Sequence, residues 1–197
     1  MATRQQRETL PLRTINDFKS KLRGGGARPN LFEVKLAFPD AISVDNDVIS
    51  DARFLVKAAA LPASTVSSID VPFRGRILKL AGDRTFETWT ITVLNDTSFS
   101  IRSAFEQWMN YINKLDNATG ETDPTLYQKD ADVFQLNRDG GVLRTYKFKD
   151  IFPTNISAID LSYETTDTIQ EFTVEMQVHY WEAYRGSAPG SGGDNIS

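Results

Sequence analysis

The stretch IQEFTVEMQVHYW, residues 169–181, decides the fold class because its apolar and polar side chains alternate without interruption. Successive side chains of a β-strand point to opposite faces of the sheet, so this alternation predicts a strand with one buried face and one solvated face. The buried set runs from Phe172 to Tyr180, and the solvated set includes Glu171 and Glu175. At about 3.4 Å per residue the strand would extend for about 44 Å, enough to cross a whole domain.

The same two-residue period recurs along the chain. Further strands are predicted at residues 31–38, 53–60, 66–71, 74–80, 85–94, 126–137, 142–149 and 157–163. Between them the sequence predicts a polar loop at 39–50, a sheet edge or a corner at Pro72, tight turns at 82–83 and 138–141, and a break at 152–155. Proline cannot donate to a sheet ladder, and glycine next to aspartate or glycine favours the tight turns of hairpins.

One segment has the helical period instead. From Ser98 to Leu115 apolar residues recur at spacings of three and four, with Trp108 on the apolar stripe, which predicts a long helix packed against a sheet. A short helix is predicted at residues 14–21, with Thr14 as its cap and three glycines at 24–26 to end it. The predicted fold class is therefore mainly β, with one packed α-helix.

Charge and composition divide the chain into three parts. Residues 1–28 hold seven basic and two acidic side chains, whereas the remainder carries a net charge of −9. We therefore expect a basic N-terminal arm with a short helix at 1–26, a β domain at 27–185 and a flexible Gly/Ser-rich tail at 186–197. An acidic body repels phosphate, which is the opposite of the basic surface of a duplex-binding domain.

The composition argues against an enzyme. The chain has no cysteine and one histidine, His179, so it offers neither a thiolate zinc site nor a cysteine nucleophile. A general base needs a neighbour to orient it, and the sequence supplies none for His179, which is predicted at a surface or an interface. The calcium-like run at 45–47 lacks the glycine and the glutamate of that loop at Ser50 and Val56. No catalytic residue, metal site, cofactor or membrane-spanning segment is predicted.

Long two-faced strands raise the question of what covers their edges. Unpaired edges invite pairing with another chain, and closure into a barrel removes them. The strands could close within one chain, or several copies could each lend strands to a shared barrel. The residues alone leave both arrangements open.

Five sequence blocks resemble the tail tube proteins of contractile-tailed bacteriophages. The blocks are ARPNLFEV at 27–34, KAAALPA at 57–63, LAGDRTFETWT at 80–90, FPTNI at 152–156 and YWE at 180–182. They stand in the order in which that family has them and together reach from residue 27 to residue 182. The resemblance implies two antiparallel sheets packed nearly orthogonally as a sandwich or barrel, flanked by a helix.

The resemblance also implies a structural role in the virion tail, after assembly in the host cytoplasm. Six subunits of such proteins form a ring, the rings stack into a hollow tube, and DNA passes along the lumen when the surrounding sheath contracts. The implied partners are further copies of the chain, the tail sheath protein, baseplate tube-initiator proteins, the tape-measure protein, the tail terminator and the passing DNA. A tube initiator, the inner-tube protein of a related contractile injection system and a monomeric β-sandwich binding module remain alternatives.

Two sets of residues are candidates for functional contacts in such a tube. Glu171 and Glu175 lie on the polar face of the long strand, and we expect them to line an acidic lumen to which phosphate does not adhere. The polar segment 39–53 lies between two predicted strands, so we expect it to contact the neighbouring ring. The residues assigned to that contact are Val44, Asp45, Asp47 and Arg53.

Overall fold

A computed structural model of the chain describes residues 14–22 and 26–186. The helices are α1 (Ile15–Lys21), α2 (Asn46–Leu55), α3 (Ser100–Ile112) and α4 (Pro124–Tyr127). The strands are β1 (Phe32–Leu36), β2 (Val56–Ala59), β3 (Ser64–Phe73), β4 (Arg76–Phe86), β5 (Trp89–Leu94), β6 (Lys129–Leu136), β7 (Val142–Ile156), β8 (Glu171–Gln177) and β9 (Tyr180–Arg185). The predicted mainly β class is confirmed.

Two antiparallel sheets share the long strand β7. The first sheet has the order β1-β6-β7-β9, and the second has the order β7-β8-β5-β2. Residues 144–149 of β7 pair with β9, and its residues 152–156 pair with β8. Asp150 lies between these two halves with φ of 54°, a left-handed conformation that turns the strand. A strand that bends from one sheet into the next forms the corner of a two-sheet fold.

The predicted single strand at 169–181 is wrong in its continuity. It divides into β8 and β9, and the amide of His179, between them, donates to the Lys149 carbonyl at 3.2 Å. Both halves pair with the same bent strand β7, so they follow its corner. The alternation itself predicts burial correctly, because Phe172, Val174 and Met176 are all buried.

Two neighbouring predictions also fail at this corner. The expected break at 152–155 lies inside β7, where Pro153 pairs with Met176 next to a register shift. Strands tolerate proline at such irregular positions. The expected strand at 157–163 is an irregular connection that runs to residue 170.

The predicted helix and its packing are confirmed in α3. Trp108 is fully buried, and its indole N–H donates to the Tyr127 carbonyl at 2.8 Å. The ring of Phe38 packs edge-on against Phe105 and Trp108, with centroids 5.4 and 5.7 Å apart. Polar capping comes from Asp96, whose carboxylate accepts the Ser100 amide at 3.0 Å. The helix thus closes one side of the core with aromatic side chains.

The segment predicted as a polar loop at 39–50 and a strand at 53–60 instead contains a ten-residue helix at its centre. Helix α2 begins at Asn46, and the shorter strand β2 follows it. Ala52 is completely buried, and Val48 and Ile49 pack against the core. This spacing is that of a helix face. The apparent alternation from Phe54 onward is misleading, because the Phe54 side chain is 82% exposed.

The buried phenol of Tyr184 on β9 gives the fold a predicted alkaline pH dependence. Its hydroxyl donates to the carboxylate of Glu182, and that hydrogen bond together with burial raises the pKa of Tyr184 to about 12. The unfolded phenol loses its proton near pH 10, so the native state holds this proton more tightly. The free energy of unfolding should therefore fall as the pH rises from about 10 to about 12.

Replacing Tyr184 by Phe should remove this part of the pH dependence and the last phenol to ionise in an absorbance titration. Tyr163→Phe, which removes an exposed phenol, is the matched control and should leave that last step in place. An unchanged high-pH step in Tyr184→Phe would show that the Glu182 contact does not govern the titration.

Candidate assembly interface

Strands β3 and β4 form a long hairpin that pairs with no other strand of the described chain. At its tip Arg74 and Gly75 have φ of 45° and 82°. Positive φ at both central residues defines the two-residue turn whose twist matches that of the flanking strands. The Arg74 guanidinium lies 5.3 Å from the centroid of the Phe73 ring, which precedes the turn.

Of the two alternatives predicted at Pro72, the edge position is confirmed and the corner is not. The predicted turn at 82–83 is wrong. Pro72 lies within β3, whose outer edge is unpaired, so its missing amide costs no ladder hydrogen bond there. Gly82 lies within β4, beside a register shift between Val66 and Ser68. A Cβ at Gly82 would lie 2.4 Å from the Ser67 hydroxyl oxygen, so this glycine permits close strand approach rather than a turn.

One face of the hairpin is apolar and exposed. The register places Ile69 opposite Leu80 and Val71 opposite Leu78, with Phe73 next on the same face. The exposed fractions are 53% for Ile69, 57% for Leu78 and 66% for Phe73. Monomeric proteins seldom leave a contiguous apolar surface uncovered, and a two-stranded hairpin alone is marginally stable in water. This apolar hairpin face is therefore a candidate interface with another molecule.

The opposite face of the hairpin is more polar. There the Lys79 ammonium lies 2.9 Å from an Asp70 carboxylate oxygen, and both side chains are exposed. Such an exposed ion pair adds little stability. The hairpin thus presents one apolar surface to a partner and one surface that tolerates water. The sequence contained the alternation, but alternation alone does not distinguish a strand buried in its own core from one covered by another molecule.

The four residues predicted to contact a neighbouring ring divide into two pairs. Val44 packs against the core, and the Arg53 guanidinium lies 3.5 Å from the Glu33 carboxylate on β1. Asp45 and Asp47 are exposed at the start of α2, where carboxylates favour the helix dipole. Two of the four residues therefore also make contacts within their own subunit, although the Arg53 side chain is still 39% exposed, and the other two are exposed. Their role between rings stays a prediction.

The exposed side chain of Phe54 is a surface feature that the sequence reasoning missed. It projects from α2 while Ala52 on the same helix is buried. A helical wheel of residues 46–55 would have identified it, since Phe54 falls away from the stripe formed by Val48, Ile49 and Ala52.

Glu171 and Glu175 lie on the outward face of the second sheet, as their alternation predicts. On that face Glu175 is paired in register with Thr90, and Thr173 with Thr92, so hydroxyl groups surround the carboxylates. Glu171 forms an ion pair with Lys57 on β2. Glu175 is exposed and makes no ion pair with any residue that the structure describes. Whether this face lines a lumen stays a prediction.

The outward face of the first sheet has a different character. Lys149 and Lys147 lie 2.6 and 3.8 Å from the same carboxylate oxygen of Asp130. The contact with Asp130 raises the pKa of Lys149, which therefore stays charged. Beside them the carboxylate of Asp132 is partly desolvated, and that burial raises its pKa. Positive and negative groups alternate on this face, in contrast to the hydroxyl-rich face of the second sheet.

His179 is exposed, as predicted, and its ring centroid lies 5.7 Å from that of Tyr180. Among residues 14–22 and 26–186 no group of three or more His, Cys, Asp or Glu side chains is arranged to hold a metal ion. Within the same residues, no helix is both long and apolar enough to cross a membrane.

Comparison with known proteins identifies the family. Residues 27–184 match the family model described as phage tail tube protein. The chain belongs to the phage tail tube protein family. Tail tube protein gp19 of Enterobacteria phage T4 is 36% identical to it over 160 residues, which cover 81% of this chain and 93% of that protein. The family resemblance seen in the sequence is thus confirmed.

The fold of this tail tube protein is also found in contractile injection systems. A chain in the cryo-EM structure of the anti-feeding prophage baseplate superposes with a TM-score of 0.59 at 12% identity, covering 80% of this chain and 95% of that chain. A chain of the sheath/tube terminator of an extracellular contractile injection system, PVC, in its extended state gives 0.57 at 14% identity, covering 80% and 96%. At such low identity the likeness concerns the fold.

This tail tube protein is a structural component of a contractile phage tail, located in the virion. The hairpin lies inside the matched range 27–184, whereas helix α1 lies before it. The predicted structural function is confirmed at this level.

Proposed function

We propose that copies of the chain form six-fold rings that stack into a hollow tube, through which DNA passes when the surrounding sheath contracts. The observation that supports this proposal is the apolar hairpin face, which is exposed in the single chain. Burying a Val, Leu, Ile or Phe side chain stabilises an interface by about 1.5–3 kcal/mol. A neighbouring subunit that covered this face would therefore make the ring more stable than its separate subunits.

The further partners follow from the same architecture. We infer that the tube ends contact baseplate initiator proteins and a tail terminator, that its outer wall contacts the sheath, and that a tape-measure protein occupies the lumen during assembly. Solved structures with this fold come from a baseplate and from a sheath/tube terminator. This role needs no catalytic residue, and the exposed position of His179 fits that inference.

Leu78→Asp tests the apolar hairpin face directly. Leu78 is 57% exposed in the single chain, so the variant should fold normally, while a charge placed in the covered interface should prevent ring formation. Circular dichroism would establish folding, and light scattering with negative-stain microscopy would measure assembly.

Ser68→Asp is the matched control, because Ser68 belongs to the polar face of the same hairpin and gains the same charge. This control should assemble as the parent does. Tubes of ordinary length and yield from Leu78→Asp would contradict the assignment of the hairpin face.

We further propose that the outward face of the second sheet lines the lumen. Its threonines and its exposed Glu175 offer phosphate no cationic contact, whereas the first sheet presents lysines outward. In a six-fold ring one carboxylate becomes a band of six. Glu171 contributes less to this band, because Lys57 offsets its charge.

Glu175→Lys should convert the proposed lumen from a surface that releases DNA to one that retains it. Assembled tubes of the variant should retain a short labelled DNA duplex, and the amount retained should decrease as the salt concentration is raised. Asp116→Lys, which changes an exposed acid in the loop after α3, is the control and should retain no more DNA than the parent. Equal retention by both variants would place Glu175 outside the lumen.

For the contact between rings we propose Asp45 and Asp47 on the exposed start of α2. Deleting residues 45–50 would not test this, since it removes the first turn of a helix that packs on β1. Asp45→Lys combined with Asp47→Lys should instead preserve folding and ring formation but shorten the tubes. Asp116→Lys combined with Asp139→Lys adds the same charge elsewhere, and micrographs would compare the length distributions. Equal lengths in both variants would count against a ring-to-ring role for α2.

A further inference from the structure

Helix α1 has an apolar stripe that nothing in the described chain covers. Every residue of α1 is exposed, and Ile15 and Phe18 on the stripe are 70% and 65% exposed, with Leu22 following at the C-cap. The helix lies outside the range that matches the tail tube family, residues 27–184. It is therefore an addition to the tube domain whose apolar side chains lack a partner.

The helix is encoded locally but is too short to be stable alone. Thr14 and Asp17 form a reciprocal capping box, in which the Asp17 carboxylate accepts the Thr14 amide at 2.9 Å and the Thr14 hydroxyl accepts the Asp17 amide at 3.3 Å. The hydrogen bond from the Thr14 amide to the Asp17 carboxylate lowers the pKa of Asp17. Isolated helices shorter than about 12–15 residues are marginal in water. A seven-residue helix that keeps a capping box and an apolar stripe is suited to folding against another surface.

A cleft at one end of the second sheet has complementary properties. The cleft has a volume of about 770 Å³ and lies between the start of β8, the end of β5 and the irregular connection 157–170. Its wall includes Leu161 and Ile169, whose side chains are 80% and 70% exposed. Like α1, this connection carries large apolar side chains that the single chain leaves in water.

The charges of the two surfaces are opposite. The connection 157–170 contains Asp160, Glu164 and Asp167 and no basic residue, and none of the three acids forms an ion pair within the described chain. Lys19 and Lys21 lie in the last turn of α1 and are likewise without an ion pair among the described residues. The cleft wall also includes Lys57, whose charge is offset by Glu171, so the cleft as a whole is acidic. The apolar stripe flanked by lysines therefore complements this cleft in both polarity and charge.

The cleft closest to the attachment point of α1 has the wrong charge. Ala27, at the end of the glycine tether, lines a second cleft of about 430 Å³ together with Arg144 and Arg185. These guanidinium groups would repel Lys19 and Lys21. Charge complementarity thus favours the acidic cleft at 157–170 over the nearer basic one.

The tether holds the C-terminal end of α1, at Leu22, well short of the acidic cleft of the same subunit. Residues 23–26, RGGG, span at most about 18 Å between Leu22 and Ala27 when fully extended. Strands β8 and β9, of seven and six residues, separate the two clefts. Even bent at a right angle, these strands hold their far ends about 30 Å apart. The cleft of a separate copy is not held at this distance by the tether.

We propose that α1 of one subunit packs into the acidic cleft formed by residues 157–170 of a neighbouring copy, and so fastens adjacent subunits together. Phe18 and Ile15 contact the wall that carries Leu161, and Lys19 and Lys21 pair with the carboxylates of Asp160 and Asp167, which line the cleft. This contact deepens the proposed assembly, on which it rests, since the rings bring the copies together. It adds a fastening outside the matched tube domain.

The absence of cysteine from the sequence allows a direct test with full-length chains. A chain with Phe18→Cys is mixed with a chain that carries Leu161→Cys, assembled, and oxidised. A disulfide-linked dimer on a non-reducing gel can then form only between copies. We expect this dimer to be a major product. The control replaces Leu161→Cys by Leu126→Cys on α4, which packs at the C-terminal end of α3. The control should give at least several-fold less dimer.

Exchanging the charges of the two surfaces tests whether the disulfide forms through the proposed ion pairs or through random collision. Lys19→Glu with Lys21→Glu should lower the yield of the linked dimer about twofold to fivefold at low salt, as expected for exposed ion pairs. Adding Asp160→Lys and Asp167→Lys on the cleft partner should restore the yield. Failure of the second pair of substitutions to restore it would overturn the proposed pairing.

Other outcomes decide against the proposal in distinct ways. A linked dimer between Phe73→Cys and Leu161→Cys, without one from Phe18→Cys, would make the hairpin tip the occupant of the cleft. Rings seen by microscopy without a Phe18–Leu161 product would overturn this inference and leave the proposed function standing. If the parent chain forms no rings, the proposed function fails, and the disulfide yield in the same mixture still decides whether α1 binds a second copy.

Discussion

The bend of β7 at Asp150 is the constraint on which the rest of the structure depends. One half of this strand pairs with β6 and β9, and the other half pairs with β8, so every strand of the two sheets is joined through it. The corner brings the Trp89 ring from the second sheet into stacking contact with Phe148 of β7 at 4.2 Å. Helix α3 then covers the remaining side of the core with Phe105 and Trp108.

The same architecture leaves surfaces that a single copy does not cover. The hairpin formed by β3 and β4 stands apart from both sheets and shows its Ile69–Leu80 and Val71–Leu78 pairs to solvent. The connection 157–170 and helix α1 add two further apolar surfaces of opposite charge. For a tail tube protein these uncovered surfaces are consistent with a subunit whose hydrophobic burial is completed in the polymer.

In this chain the sequence period predicts well which residues are buried, but it predicts poorly where strands bend and end. The burial of Phe172, Val174 and Met176 follows from alternation, and the helix around Trp108 follows from its spacing. The division of 169–181 into two strands does not follow, because the corner is imposed by pairing with β7. The helix at 46–55 was not predicted either, because its apolar stripe is short and is stabilised by contact with β1. Gly82 shows a third case, in which a glycine that signals a turn instead allows Ser67 to approach.

By itself the sequence determined the class of the fold, the long packed helix, the scarcity of catalytic side chains and, through five ordered blocks, the tail tube family. These properties depend on residue type and local period, which can be read directly from the sequence. The tertiary structure alone decided where β7 bends, that Val44 and Arg53 make contacts within their own subunit, and that the hairpin face is exposed. These properties depend on which distant strands pair and which faces remain uncovered, and a linear pattern does not specify its own partner.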